Sequence, residues 1–290
     1  MMKVLSYGSL NVDIVYQVPH IVRPGETLAS SERKIHAGGK GANQSCALGR
    51  AGAKVYHAGK IGKQDSWILD LLENSGVNTE HIILSDLPSG HAVIQVDKAA
   101  ENSIVLFGGA NQAISKQEVD ATLLHFEEKD FLLIQNEISE TAYLIYAAKQ
   151  QGLQVCFNPA PFDESILEYP LEFVDYLIVN ETEGLGMAQC EEFDQVLTEL
   201  TTKFPNTQII MTLGKEGAIY RYGDKSITTP GVPVNAVDTT AAGDTFIGYL
   251  LASLSKGDGI DIAMKKGCNA ASITVTQPGA MESIPYEHEV

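Results

Sequence analysis

The feature that most limits the fold is the alternation of short β-rich runs with amphipathic helical stretches along most of the chain. "FLLIQ" at 131–135 reads as a buried strand, followed by a helix from Ser139 through Tyr143, Leu144, Ala147 and Ala148 to a stop at Gly152. "QVCF" (154–157), "DYLIV" (175–179) and "QIIMTL" (208–213) read as further buried strands. "SKQEVDATLLHF" at 115–126 opens with Ser115 and Glu118 at capping-box spacing and carries Val119, Leu123 and Leu124 as its apolar residues. Crossovers between parallel strands are right-handed, so this order predicts an α/β fold: a mostly parallel central sheet with helices on both faces. Two regions break the rhythm, 10–36 and 88–108, and read as strands and turns. "SGHAVIQV" and "NSIVLF" flank a polar "DKAAE" turn as a hairpin, and the two regions together predict a small β lid. A minor hairpin is expected at 218–229 around Gly223-Asp224. With no linker, repeat or low-complexity tract, residues 1–290 are expected to form one domain.

Charge narrows the partners. A formal net charge of −17 disfavours nucleic acid and anionic membrane surfaces. It does not exclude an anionic substrate, because backbone dipoles or a metal ion can reverse the field within one pocket. No apolar run is long enough to span a bilayer, and the first residues, with Asn11 and Asp13 early, make a poor signal peptide. Cys46, Cys156, Cys190 and Cys268 form no CxxC pair and read as free thiols of a reducing cytoplasm. The seven histidines lack zinc spacing, so neither a zinc enzyme nor a histidine-based nucleophile triad is supported.

Five short stretches could carry chemistry. In "VDTTAAGDTFIGYLLASL" (237–254) a helix is expected to begin near Ala242, with Asp244 in its first turn and Phe246, Tyr249, Leu250 and Leu254 on its apolar side. Small residues before a helix start leave its amides open to an anion. Equally, Thr239 or Thr240 could cap the helix while Asp244 favours its dipole. "SLNVDIV" alternates, placing Asn11 and Asp13 on one face, where an amide and a carboxylate could grip vicinal hydroxyls or simply face solvent. "HAGGKGANQSCALGRAG" (36–52) is a glycine turn entering a small-residue helix with Asn43 in its first turn. It is no P-loop, because Lys34 stands where the first glycine belongs, and no dinucleotide fingerprint, because Gln44 replaces the third glycine. In "NETEG" (180–184), Asn180 and Glu183 have the spacing of a reciprocal cap, and Glu183 could instead face a magnesium ion through water. "TLGKEGAIY" (212–220) ends a strand in a glycine loop of the kind that borders ligand crevices in open α/β sheets.

"NVD", "GGKGAN", "NETE", "TLGKEG" and "DTTAAGDTF", in this order and spacing, resemble the ribokinase branch of the PfkB carbohydrate kinases from the first strand to "GAMESIP" at 279–285. The resemblance implies an ATP-dependent kinase of the ribokinase-like fold that phosphorylates the 5-hydroxyl of D-ribose; related kinases acting on deoxyribose, a ketohexose or a nucleoside are the alternative. It implies that Asp244 is the catalytic base and also touches the sugar, and that Ala241, Ala242 and Gly243 form an anion hole. Asn11, Asp13, Gly39, Lys40, Asn43 and Glu137 match the sugar-holding positions. Asn180 and Glu183 match the motif governing magnesium and phosphate, and Thr212, Leu213, Gly214, Lys215, Glu216 and Gly217 match the nucleotide loop. Asp238, Thr240, Thr274, Gln277, Gly279 and Ser283 match a monovalent-cation site, usually potassium, partly through backbone carbonyls. The lid matches one that pairs edge to edge in homodimers. The chain departs from the family at Ile247, where many members have asparagine, at "NEIS" (136–139), and at "TQPGAMES" (276–283). A non-catalytic sugar or nucleotide sensor is the reading from another class; binding alone would not need the retained Asp244.

Overall fold

The computed structural model describes residues 1–99 and 101–290. In chain order the elements are β1 (Lys3–Tyr7), β2 (Asn11–Gln17), β3 (Glu32–Gly38), α1 (Lys40–Arg50), β4 (Lys54–Gly62), α2 (Trp67–Asn74), β5 (Asn78–Ser85), β6 (Gly90–Val96) and β7 (Asn102–Phe107). They continue as α3 (Lys116–Leu123), β8 (Phe131–Gln135), α4 (Thr141–Gln150), β9 (Gln154–Asn158), β10 (Tyr176–Val179), α5 (Glu181–Ala188) and α6 (Phe193–Lys203). The last are β11 (Gln208–Thr212), β12 (Gly217–Tyr222), β13 (Lys225–Pro230), α7 (Ala242–Ser255) and α8 (Ile260–Thr274).

Among the described residues the strands form two sheets. The larger has the order β13-β12-β11-β10-β9-β8-β1-β4-β5 and is parallel from β5 to β11, with β12 and β13 antiparallel at one edge. Strand side chains alternate faces, and the core divides accordingly. Val4, Phe131 and Leu133 join one cluster with residues of α1, α2, α7 and α8. Leu5, Leu132 and Ile134 join the other with residues of α3, α4, α5 and α6. Burial on both faces explains why "FLLIQ" is a continuous apolar run.

The smaller sheet, β3-β2-β6-β7, collects strands from the two regions that break the helix rhythm, with β2 and β6 parallel and both outer pairs antiparallel. The turn expected between β6 and β7 includes Ala100, which lies outside the described residues. Two helix expectations shift. The helix expected from Ser139 starts at Thr141, because the Ser139 hydroxyl is drawn to the Ile114 carbonyl (2.9 Å) and Glu140 turns left-handed. Leu124 stands after the end of α3 and is 82% exposed, so it is no part of the apolar face, whereas the Ser115–Glu118 capping box forms.

Candidate active site

Strand order reverses between β1 and β8, the chain stepping outward from β1 through β4 and β5 and then returning to β8 on the other side of β1, and ligands in open α/β sheets bind outside the strand ends at such a point. The polar residues gather there. Ser9 follows β1, Gln135 ends β8 with Glu137 just beyond, Asn158 ends β9, Asn180 follows β10 and Thr212 ends β11. The starts of α1 and α7 face the same ends. Two close approaches hold them. A Cβ on Gly41 would come within 2.5 Å of the Gly8 carbonyl carbon and 2.6 Å of its Cα, so only glycine lets α1 begin against that turn. A Cβ on Gly248 would strike the Ala47 methyl and come within 2.9 Å of the Leu48 nitrogen, so α7 crosses α1 at the distance glycine permits. Glu137 completes the frame: its Oε2 accepts from the Lys40 amide (2.9 Å) and from the Ser9 hydroxyl.

At the start of α7 the capping reading fails. Thr240 donates its hydroxyl to Asp238 Oδ1 (2.6 Å), and no side chain caps the helix. Ala241 occupies the N-cap position in a left-handed conformation (φ 60°), which costs a non-glycine residue roughly 1–2 kcal/mol. Asp244 in the first turn is gripped from α1: Asn43 Nδ2 donates to its Oδ2 (3.1 Å) and Gln44 Nε2 to its Oδ1 (2.9 Å). Gln44 Nε2 also donates to Asn158 Oδ1 (3.2 Å), while Gln44 Oε1 accepts from Gln135 Nε2 (2.7 Å). Asn158 Nδ2 donates to the Ile178 carbonyl (3.0 Å) and reaches Glu183 Oε2 (3.4 Å).

A cleft of about 240 Å³ opens beside Asp244. Lys40, Asn158, Asn180, Glu183, Thr212, Thr239, Ala241, Ala242, Gly243, Asp244 and Ile247 all line it. A Cβ on Gly243 would meet open space. Asn180 and Glu183 form the reciprocal cap of α5 (Glu183 N–H to Asn180 Oδ1, 2.8 Å; Asn180 N–H to Glu183 Oε2, 3.0 Å) and still border the cleft. The capping and ligand-facing readings of "NETEG" are therefore compatible. Burial pushes the Glu183 carboxyl up, opposed by the Asn180 amide and by Lys40. Burial pulls the Lys40 ammonium down, but Asp244, Glu137 and Glu183 outweigh it and hold Lys40 above its ordinary value. Lys40, placed by resemblance with the sugar residues, is thus also the cation of this cleft. Of the glycine loop only Thr212 reaches the lining; Leu213, Gly214, Lys215, Glu216 and Gly217 lie past it, closed by the Leu213 amide donating to the Gly217 carbonyl (2.8 Å).

Outside the lining of this cleft stand Asn11 and Asp13 of β2 and Gly39, the N-cap residue of α1. Asn11 Oδ1 accepts from Asn111 Nδ2 (2.7 Å), which fixes the Asn11 amide. Burial raises the Asp13 carboxyl to about 6, with Glu137 and Glu282 adding to the rise and His36 opposing it. The proposed cation residues fall into smaller groups. Asp238 binds the Thr240 amide (2.9 Å) and hydroxyl through Oδ1 and the Gly279 amide (3.0 Å) through Oδ2, and these bonds keep its carboxyl below the usual range despite burial. Thr274 and Gln277 share a turn (Gln277 N–H to Thr274 carbonyl, 3.2 Å), and Ser283 bonds the Ala280 carbonyl (2.8 Å).

Nothing in the motifs marks Ser9, Gln44, Asn111, Gln135 or Asn158 as site residues. For Gln135 and Asn158 a signal existed: each is a polar residue closing an otherwise apolar buried strand. Gln44 stands out in the sequence only for not being glycine. A second cavity, near the C-terminus, is lined by Tyr249, Lys256, Lys266 and Glu287, and its lysines are already paired with Glu287 (2.5 Å) and Asp258 (2.8 Å).

The family model described as pfkB family carbohydrate kinase matches residues 1–287. Ribokinase of Haemophilus influenzae is 38% identical, over 97% of this chain and 95% of that protein. The crystal structure of ribokinase from Cryptococcus neoformans in complex with ADP superposes with a TM-score of 0.87 at 35% identity, covering 99% of this chain and 98% of that one. Arabidopsis thaliana ribokinase complexed with ribose and ATP gives 0.86 at 26% identity, covering 99% and 97%. With a match of this extent in sequence and in fold, the chain belongs to the pfkB family of carbohydrate kinases.

Proposed function

We propose that the protein is an ATP-dependent ribokinase, moving the γ-phosphoryl group of ATP to the 5-hydroxyl of D-ribose. The observation that carries this reading is Asp244: it lies at the uncapped start of α7, borders the cleft, and has both oxygens oriented by amides of α1. The sugar oxygen bonds to the γ-phosphorus as the bond to the bridging oxygen of ADP breaks. Asp244 takes the hydroxyl proton, and ADP leaves with the bonding electron pair. This reaction needs in-line positioning and charge stabilisation more than covalent help. The backbone amides of Ala241 and Gly243, with the helix dipole, face the charge on the transferred group, whereas the Ala242 amide is shared with the Thr239 carbonyl (3.3 Å). Lys40 adds the one side-chain cation among the lining residues. Among the described residues Asn43 Oδ1 is buried without a partner, which leaves an acceptor beside Asp244 for a sugar hydroxyl.

Residues 1–290 would act as one kinase domain, with the four-stranded sheet serving as a lid that keeps water from the phosphoryl group. Among the described residues no three His, Cys, Asp or Glu side chains gather as a metal cage. A magnesium ion would therefore rest on ATP phosphates and water with Glu183 in support, a donor set that suits it, and would neutralise phosphate charge. For potassium, the ordered carboxylate of Asp238 and carbonyls of the neighbouring turns are suitable oxygen donors. Strand β7 presents Ile104, Val105, Leu106 and Phe107, each at least half exposed, at a sheet edge, which favours pairing with a second copy. Four free cysteines fit a reducing cytoplasm.

ADP release measured across pentoses, hexoses and nucleosides tests the reading, with NMR locating the new phosphate. Release should be fastest with ribose, should need potassium in preference to sodium, and should come from a species of twice the chain mass by light scattering. Faster release with deoxyribose, a ketohexose or a nucleoside would transfer the assignment to that acceptor. A monomer, or full activity in sodium, would remove those two parts alone.

Asp13 supplies a pH prediction. Its carboxyl loses its charge as pH falls through about 6, so the ribose KM should rise below that pH. Asp13→Asn should bind sugar more weakly and show a flatter KM profile. Because the folded-state value is raised, protonation stabilises the fold, and that contribution is lost as pH rises through about 6. Asp13→Asn should therefore melt higher than the parent at pH 8, with the gap closing toward pH 4. Parallel melting curves at all pH values would contradict a buried charge at this position.

A further inference from the structure

We propose that Gln44 is a positioning residue for Asp244, tied through Asn158 to Glu183, so that two uncharged amides set the base relative to the far wall of the cleft. The inference rests on Asp244 being the base. Gln44 is fully buried, and Gln135 and Asn158 nearly so. Both Nε2 hydrogens of Gln44 are engaged, one with Asp244 Oδ1 (2.9 Å) and one with Asn158 Oδ1 (3.2 Å), and its oxygen accepts from Gln135 (2.7 Å). Only one amide orientation satisfies these partners, because the flipped form would set oxygen against a carboxylate. Asn158 is fixed in turn by donating to the Ile178 carbonyl and by reaching Glu183. The bonds run without a break from the carboxylate at the start of α7 to the one at the start of α5.

The chemistry favours amides here. A neutral donor orients a carboxylate while leaving its charge in place; an ammonium in the same spot would hold that charge back from an incoming proton. The buried row also explains the glycine before Ser9, since a Cβ on Gly8 would strike Gln135 Oε1 and the Gly41 Cα. Were Gln44 merely filling space, an isosteric apolar side chain would serve as well.

The test is Gln44→Met, which keeps the length and removes both donors. We expect kcat to fall about tenfold or more while the ribose KM moves less than about threefold, the pattern of lost transition-state positioning. In an Asp244→Asn background the same change should cost less than about twofold, because the group being positioned is gone. A kcat within twofold of the parent, or an equal loss in both backgrounds, would overturn the proposal. If Gln44→Met does not fold, the side-chain amide resonances of Gln44 in the intact protein decide: they should be protected from exchange and shift in Asp244→Asn. Unprotected or unshifted resonances would refute it. Turnover surviving in Asp244→Asn would instead defeat the base assignment, whereas a dead Asp244→Asn with a fully active Gln44→Met removes only this inference.

Discussion

Asp244→Asn is expected to lower kcat by about three orders of magnitude, within the range for loss of a positioned general base, while ribose affinity stays within about fivefold. The size follows from the geometry. Asparagine has the shape of aspartate, so α7 and its crossing with α1 are undisturbed. It cannot take the proton of the attacking hydroxyl, and its NH2 must face Asn43 Nδ2 or Gln44 Nε2, so that one donor now points at another. A coupled assay for ADP together with calorimetric titration of ribose separates chemistry from binding. Wild-type turnover in this variant would remove the proposed mechanism at its centre.

The largest effect on the fold is expected from Gly41→Ala. The added carbon meets main chain, the Gly8 carbonyl carbon at 2.5 Å and its Cα at 2.6 Å, so no side-chain rotation relieves it. Overpacking usually costs about 1–3 kcal/mol, and a backbone clash in a buried turn belongs at or beyond the top of that range. A loss of about 3 kcal/mol corresponds to a melting temperature lower by roughly 5 °C in a chain of this size. Ribose binding should fail as well, because Lys40, Asn43 and Glu137 take their places from this turn. Gly243→Ala is the control: its added carbon enters open space, so it should melt within about 2 °C of the parent. A Gly41→Ala protein with parental melting and ribose affinity would show that the turn is softer than its packing implies.

Much of this architecture was legible from periodicity. The buried strands declared themselves as apolar runs, and the regions of the smaller sheet by lacking helical spacing. What misled was local competition. Ser139 resembles a helix start, but its hydroxyl found a carbonyl near α3 first; Leu124 continues an apolar pattern that the chain abandons one residue earlier. At the candidate site, residue types pointed to Asp244, Asn43 and Glu183, whereas the network joining them did not show. Gln44, Gln135 and Asn158 lie 91 and 114 positions apart along the chain, Gln135 and Asn158 each measured from Gln44, and become neighbours only when β8 and β9 are laid beside β1. A single sequence carries spacing within an element, not the adjacency of strand ends. Thr240 shows the converse: its type suited a cap, and the fold used it to hold Asp238 instead.

The contact between Ala47 and Gly248 has a consequence for how this catalyst can change. Both positions lie within helices and outside the cleft lining, Gly248 directly after Ile247, yet their combined bulk sets how near the two helix starts come to each other. Enlarging either one alone would pry Asn43 and Gln44 away from Asp244, so the pair should drift only in step, one growing as the other shrinks. Variants selected for a new acceptor are thus expected to leave this inner hinge of methyl against hydrogen untouched and to explore the rim residues first.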